Sequence, residues 1–236
     1  MSLEKIQFEL PSVTLPVTIN AVTTTRLGGF SKGAHASFNL ADHVGDDPQN
    51  VEMNRALLRQ ALALPSEPLW LQQVHSNRIA NNGKADASYT RVAGDVLCVQ
   101  SADCLPILIW DKNGGEIAAI HAGWRGLASS IIKKTIENFE SRHLIAWVGP
   151  HIQLCHYEVD LTVYRKFSRY SGSLVQGRDA EHWQLSLAQV ADQQLKEVGV
   201  QRIFRSESCT ACDKERFFSY RRDGLCGRMA TLIWMT

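Results

Sequence analysis

Asp95-Val-Leu-Cys-Val-Gln-Ser-Ala-Asp-Cys-Leu-Pro-Ile-Leu-Ile-Trp110, followed after a short polar break by Glu116-Ile-Ala-Ala-Ile-His-Ala-Gly-Trp-Arg-Gly126, decides the fold. The stretch holds three short apolar runs, 96–99, 106–110 and 117–120, rich in β-branched residues and bounded by polar or glycine-containing turns. Runs of that length and composition predict buried strands. Cys104 falls between the first two, and His121 ends the third, just before a Gly-Trp-Arg-Gly turn that leads into a helix. A thiol and an imidazole delivered at strand ends, close in sequence, suit either a zinc site or a Cys/His nucleophile pair.

The flanking sequence supplies the remaining elements. Residues 6–24 predict one or two strands with a proline-containing break. Asp47 followed by Pro48 is a helix N-cap and first turn, and Val51, Leu58 and Leu62 continue an apolar stripe that Pro65 stops. Leu69 to His75 predicts a strand ending in a histidine. The loop after it presents Asp86. Leu127, Ile131, Ile132, Thr135, Ile136 and Phe139 share one face of a helix expected over 127–142. Residues 144–148 predict another buried strand, 151–183 irregular chain, Ser186 the cap of a helix to about Val198, and 203–204 and 228–234 the last strands. Strands and helices mix without strict βαβ alternation, so the fold class is α+β.

Composition narrows the function. The 236 residues suffice for one large domain or two small ones, and neither a repeat nor a linker divides them. A net charge of +1 gives no basic face for nucleic acid. The N-terminus lacks the apolar segment of an export signal, and no apolar run approaches the roughly 18 residues of a membrane helix. Six cysteines in such a chain predict reduced thiols and a cytoplasmic protein.

His75, Cys104 and His121 are three soft-to-borderline ligands, the count of a catalytic zinc site with one position left for water or substrate. By spacing alone, a buried thiol with two hydrogen-bonded histidines serves as well. Cys209-x-x-Cys212 lacks a second pair at suitable spacing. Only Cys226 lies near, and no thioredoxin-like pattern surrounds it. Arg26 with Gly28, Gly29, Ser31 and Gly33 forms a glycine-rich stretch that could cradle an anion, with Asn39 and His43 close behind. Arg221 and Arg222, after an aromatic run, are a further candidate anion pair.

Taken together, several motifs resemble the YfiH-like family of laccase-domain proteins from about residue 20 to the C-terminus. They are Thr24-Thr-Arg-x-Gly-Gly-x-Ser, Asn39-Leu-x-x-His-Val-Gly-Asp, Gln73-Val-His75, Ala102-Asp-Cys104-x-Pro, His121-Ala-Gly-Trp-Arg-Gly126, Trp147-x-Gly-Pro150, Tyr157-Glu-Val and Phe218-Ser-Tyr-Arg-Arg-x-Gly. The resemblance implies that residues 1–236 form one catalytic domain of two mixed β-sheets packed together and flanked by helices. It implies His75, Cys104 and His121 as ligands of zinc. Copper is also possible on such a ligand set, and Cys104 and His121 with the adjacent Asp103 are the expected catalytic group. Cys212 lies outside the family pattern.

The activity implied is zinc-dependent phosphorolysis of purine nucleosides such as adenosine, inosine and methylthioadenosine, with adenosine deamination as a side activity. Two alternatives come with it: a copper polyphenol oxidase, or an editing hydrolase of peptidoglycan precursors. Laccase chemistry needs a trinuclear copper cluster built on many histidines, typically His-x-His pairs, and this chain has eight histidines and no such pair. Phosphate is expected near Arg26, Asn39 and His43 or near Arg221 and Arg222, with Asp103 or Asp86 orienting a ligand or moving protons. Partners are small molecules rather than nucleic acid or membrane, and the expected assembly is a monomer or homodimer.

Overall fold

The computed structural model describes residues 6–236. A four-stranded antiparallel sheet has the order β1 (Phe8–Glu9), β2 (Ile19–Thr24), β12 (Met229–Met235), β4 (Val96–Ser101). A five-stranded mixed sheet has the order β11 (Arg202–Arg205), β7 (Leu144–Val148), β5 (Leu105–Asp111), β6 (Ile117–Ala122), β3 (Ala87–Thr90), with only β11 and β7 parallel. A third, small antiparallel sheet has the order β8 (Glu158–Asp160), β10 (His182–Leu185), β9 (Leu174–Gln176). The helices are α1 (Pro48–Leu62), α2 (Trp124–Ala128), α3 (Ile131–Ile136), α4 (Leu161–Phe167), α5 (Leu187–Glu197) and α6 (Tyr220–Asp223). The expected single-domain α+β fold is what forms, with one of its two large sheets wholly antiparallel.

The period-two alternation of each strand explains the layering. Leu108, Trp110, Ala119, Ile145 and Trp147 point one way and meet Leu97, Val99 and Ile233 of the antiparallel sheet. Ile107, Ile109, Ile120, Ala146 and Val148 point the other way, under Ile131, Ile132, Leu187, Val190 and Leu195 of α3 and α5. Cys98, Leu232 and Trp234 turn outward from the antiparallel sheet, in the cluster that Leu58 of α1 joins. Strands β4, β5, β6 and β7 are therefore buried on both faces. That is why they read as unbroken apolar runs.

Three expectations are corrected. Residues 69–75 form no strand, only isolated bridges at Leu69 and Gln72. The amides of Val74, His75 and Ser76 instead donate to the Asp86 side chain. The helix expected over 127–142 is broken into α2 and α3, because Ser130 takes a left-handed conformation with φ 64°. Its apolar face survives the break: Leu127, Ile131, Ile132, Ile136 and Phe139 are all buried. Residues 151–183 hold α4 and the small sheet. Those strands are three or four residues long and partly exposed, too short to carry a clear alternation.

Candidate metal centre

Asp86 organises the centre. The residue is fully buried at the start of β3, and its carboxylate accepts from the amides of Val74 (3.3 Å), His75 (3.0 Å) and Ser76 (2.6 Å) and from Ser76 Oγ (2.7 Å). Three successive amides turned onto one carboxylate bend the chain sharply, and His75 sits at φ 58°, a region costly for a residue with a Cβ. Asp86 Oδ1 also accepts from His121 Nδ1 at 2.9 Å, while the His121 amide donates to the Asp86 carbonyl at 2.7 Å. One carboxylate thus positions two histidines and leaves His121 Nε2 as a free ligand nitrogen.

Cys104 enters from the turn between β4 and β5. The residue before it, Asp103, has φ 98° and accepts three hydrogen bonds. Its carboxylate accepts from Thr210 Oγ1 (2.7 Å) and from the Arg221 amide (2.7 Å), and its carbonyl accepts from the Ile152 amide (2.9 Å). Thr210 is itself placed by its amide, which donates to the His151 carbonyl at 3.0 Å. Cys104 Sγ lies 3.9 Å from His75 Nε2, and the rings of His75 and His121 meet edge to face at 4.8 Å. One ligand atom from each of the three residues lies within 4.8 Å of the others. Gly123 makes the convergence possible: a Cβ there would stand 3.0 Å from Cys104 Sγ and 3.1 Å from His75 Cδ2.

The three ligands polarise one another. Burial pushes the Cys104 thiol up, but the charge and hydrogen bonds of His121 and His75 outweigh it and bring it down to about 6. Burial pulls His121 down, but Cys104 and Asp86 lift it to about 9. Burial likewise opposes ionisation of Asp86, yet the hydrogen bonds from His121 and Ser76 hold it at about 2. These shifts favour a thiolate–imidazolium pair braced by a carboxylate. A divalent ion with affinity for nitrogen and sulfur fits this donor set, and its binding would displace the imidazolium proton.

The centre lies in a cleft of about 530 Å³. Trp124, Tyr157 and Tyr220 give it aromatic walls, and His43, Arg125, Arg221 and Arg228 give it basic groups. Of the expected anion-binding residues, His43 and Arg221 line the cleft. Arg221 Nη1 donates to the carbonyls of His156 and Glu158, and its guanidinium lies over the Tyr157 ring.

Arg26, Asn39 and Arg222, the other expected anion-binding residues, do not line the cleft. Arg26 donates twice to the Ala36 carbonyl and once to that of Lys214 and stacks on Phe218, so its guanidinium is used in pinning loops. Gly29, beside it, serves close packing, since a Cβ there would meet the Ser37 carbonyl oxygen at 2.3 Å. Asn39 is fully buried and spends its amide on Ala41, Asp46 and Arg228. Arg222 holds the carbonyls of Thr210, Ala211 and Phe217 and pairs with Asp223. Asp103, expected to move protons, has both carboxylate oxygens engaged in the scaffold.

Sequence reasoning passed over Arg125, which stacks on Trp124 at 4.4 Å and makes no guanidinium hydrogen bond among the described residues. Its place in the His121-to-Gly126 motif was the available signal. Tyr157 stands in the Tyr157-Glu-Val motif, which by itself assigns it no role.

A family model described as "Multi-copper polyphenol oxidoreductase laccase" matches residues 20–236. The chain is 43% identical to a purine nucleoside phosphorylase of Haemophilus influenzae, over 95% of this chain and 97% of that one. It is 39% identical to the Escherichia coli purine nucleoside phosphorylase YfiH, over 96% and 98%. The crystal structure of Neisseria meningitidis protein NMB0706 superposes with a TM-score of 0.92 at 35% identity, covering 97% of this chain and 98% of that one. None of the helices in the described residues is long and apolar enough to cross a membrane. Matched along nearly its whole length in sequence and in fold, the chain belongs to the laccase-like YfiH family.

Proposed function

We propose that this chain is a zinc-dependent, cytoplasmic purine nucleoside phosphorylase acting on adenosine, inosine and methylthioadenosine, with adenosine deamination as a side activity. The observation that carries the reading is a three-ligand His/Cys centre in an open cleft that combines aromatic walls with several arginines. The names of the relatives support the same reaction class. His75, Cys104 and His121 would hold the ion, which when bound supplies Lewis acidity and electrostatic stabilisation in the cleft.

In phosphorolysis a phosphate oxygen bonds to ribose C1′ while the bond from C1′ to the purine nitrogen breaks. Its electron pair leaves with the base, which then takes a proton. Arg125 is the residue of this chain suited to the phosphate: a planar fork with no other guanidinium hydrogen bond among the described residues. Arg221 and Arg228 add positive field on the same cleft. Trp124 and Tyr220 offer ring faces to the base. Burial, with the Cys104 charge behind it, pushes the Tyr157 phenol up, so Tyr157 keeps its proton and can donate a hydrogen bond to the departing purine nitrogen. Asp86 keeps His121 in one tautomer throughout.

The family model's description favours oxidation, and the ligand inventory argues against it. Among the described residues only two groups of His, Cys, Asp and Glu are arranged to hold a metal, and neither brings together more than two histidines. A trinuclear copper cluster cannot be built from that set.

The test is to incubate zinc-loaded protein with inosine and with adenosine, with and without phosphate, and to identify the products by chromatography. Ribose 1-phosphate should form only with phosphate. Free ribose at an unchanged rate without phosphate, or no cleavage of any purine nucleoside, would overturn the reading.

A further inference from the structure

The pair Cys209-x-x-Cys212 looks isolated in the sequence. The fold supplies its partners. The turn after β7 carries Cys155 and His156 to the loop after β11, where the two cysteines lie. Cys155 Sγ is 3.9 Å from Cys209 Sγ and 3.6 Å from Cys212 Sγ. His156 Nδ1 is 3.1 Å from Cys155 Sγ, 3.3 Å from Cys212 Sγ and 4.0 Å from Cys209 Sγ. A tetrahedral zinc ion with bonds of about 2.3 Å to sulfur and about 2.1 Å to nitrogen separates its ligand atoms by roughly 3.5–3.8 Å. The observed separations bracket those edges. They are far outside the roughly 2.05 Å of a disulfide, and three sulfurs with an inward imidazole nitrogen are one thiol and one ring more than a disulfide uses.

We propose that Cys155, His156, Cys209 and Cys212 form a second zinc site, closed and structural. Four protein ligands leave no position for substrate. The surroundings are built for thiolate. The Gln153 amide donates to Cys209 Sγ at 3.4 Å, the kind of outer hydrogen bond that orients a metal-bound sulfur. Cys209 is buried against Ile152 and Ala211, and the His151 carbonyl accepts from the Thr210 amide, so the two loops already meet in register.

What the ion would fasten is the wall of the cleft. Ile152 and Tyr157 line the cleft on either side of the Cys155–His156 pair, and Thr210 holds the carboxylate of Asp103 next to Cys104. Zinc here joins two loops far apart in sequence and gives the cleft a rigid flank.

The test uses full-length protein purified under reducing conditions, in a His75→Ala/His121→Ala background so that the cleft centre contributes nothing. Elemental analysis should find about one zinc per chain, lost when Cys155→Ser and Cys212→Ser are added. Cobalt exchanged into the background protein should give tetrahedral ligand-field bands and a sulfur-to-cobalt charge-transfer band that weakens with each serine substitution. Both cysteines are exposed, so the variants should fold, which circular dichroism checks. A folded background protein without zinc, an intact mass reduced by the two hydrogens of a disulfide, or a cobalt spectrum indifferent to Cys155→Ser and Cys212→Ser would each overturn the proposal. Failure of the cleft centre shows separately, as equal zinc in wild type and background.

Discussion

The two His/Cys clusters of this chain use the same ligand types in opposite ways. In the cleft, His75, Cys104 and His121 are three ligands beside open space, braced by one buried carboxylate, with two residues in left-handed backbone. At the surface, Cys155, His156, Cys209 and Cys212 are four candidate ligands on two loops, with only Cys209 buried, against Ile152 and Ala211. Strain and a count of three ligands go together in the first, the combination expected where geometry is held for chemistry. Ordinary turns and saturation go together in the second. On the roles proposed above, ligand count and backbone strain, rather than residue type, separate a reacting centre from a fastening one.

Each side of that comparison can be broken separately. The largest effect after removal of a cleft ligand is expected from Arg125→Ala. Loss of a charged hydrogen bond of about 2–3 kcal/mol should raise the apparent phosphate constant by a factor of about 30–150, read from initial rates at varied phosphate. Zinc content should not change, and deamination, which uses water, should fall far less. A parallel fall of both activities would move Arg125 from the phosphate to the nucleoside or the loop.

Asp86→Asn should weaken zinc at the cleft by about 10–100-fold while leaving the surface ion in place, measured by competition with a chelating dye. Equal weakening at both would show a general loss of fold.

The pH dependence of cleft binding follows from the thiolate–imidazolium pair. Between about 6, where Cys104 is already ionised, and about 9, where His121 loses its proton, zinc displaces one proton from His121. Apparent affinity should therefore rise with pH, about tenfold per unit across that window, and fall more steeply below it as Cys104 protonates. Calorimetric titration at three pH values measures the slope, and a flat profile would contradict the pair.

The smallest catalytic effect is expected at Arg26. Arg26→Ala should cost about 1–2 kcal/mol of stability through its lost backbone hydrogen bonds, read by denaturant unfolding, and leave the phosphate constant within about twofold.

The contrast with what the sequence revealed is physical. The buried strands were legible because both faces are covered, leaving apolar runs without alternation. The cleft ligands were legible through the motifs around His75, Cys104 and His121. The contacts of Arg26 were not legible, because a guanidinium beside glycines looks the same in sequence whether it faces an anion or the Ala36 carbonyl. The partners of Cys209 and Cys212 were hidden because Cys155 and His156 lie more than fifty residues away, and only the parallel pairing of β7 with β11 brings the loops that follow them together. The break at Ser130 had no apolar signature, since the buried face continues through it.

The most direct test of the account is product formation in two reciprocal variants, each folded and each holding zinc at one cluster alone. Cys155→Ser/Cys212→Ser, with the cleft centre intact, should release ribose 1-phosphate from inosine in the presence of phosphate. His75→Ala/His121→Ala, with the surface site intact, should release none. Ribose 1-phosphate from the variant without cleft ligands would contradict the assignment of chemistry to His75, Cys104 and His121.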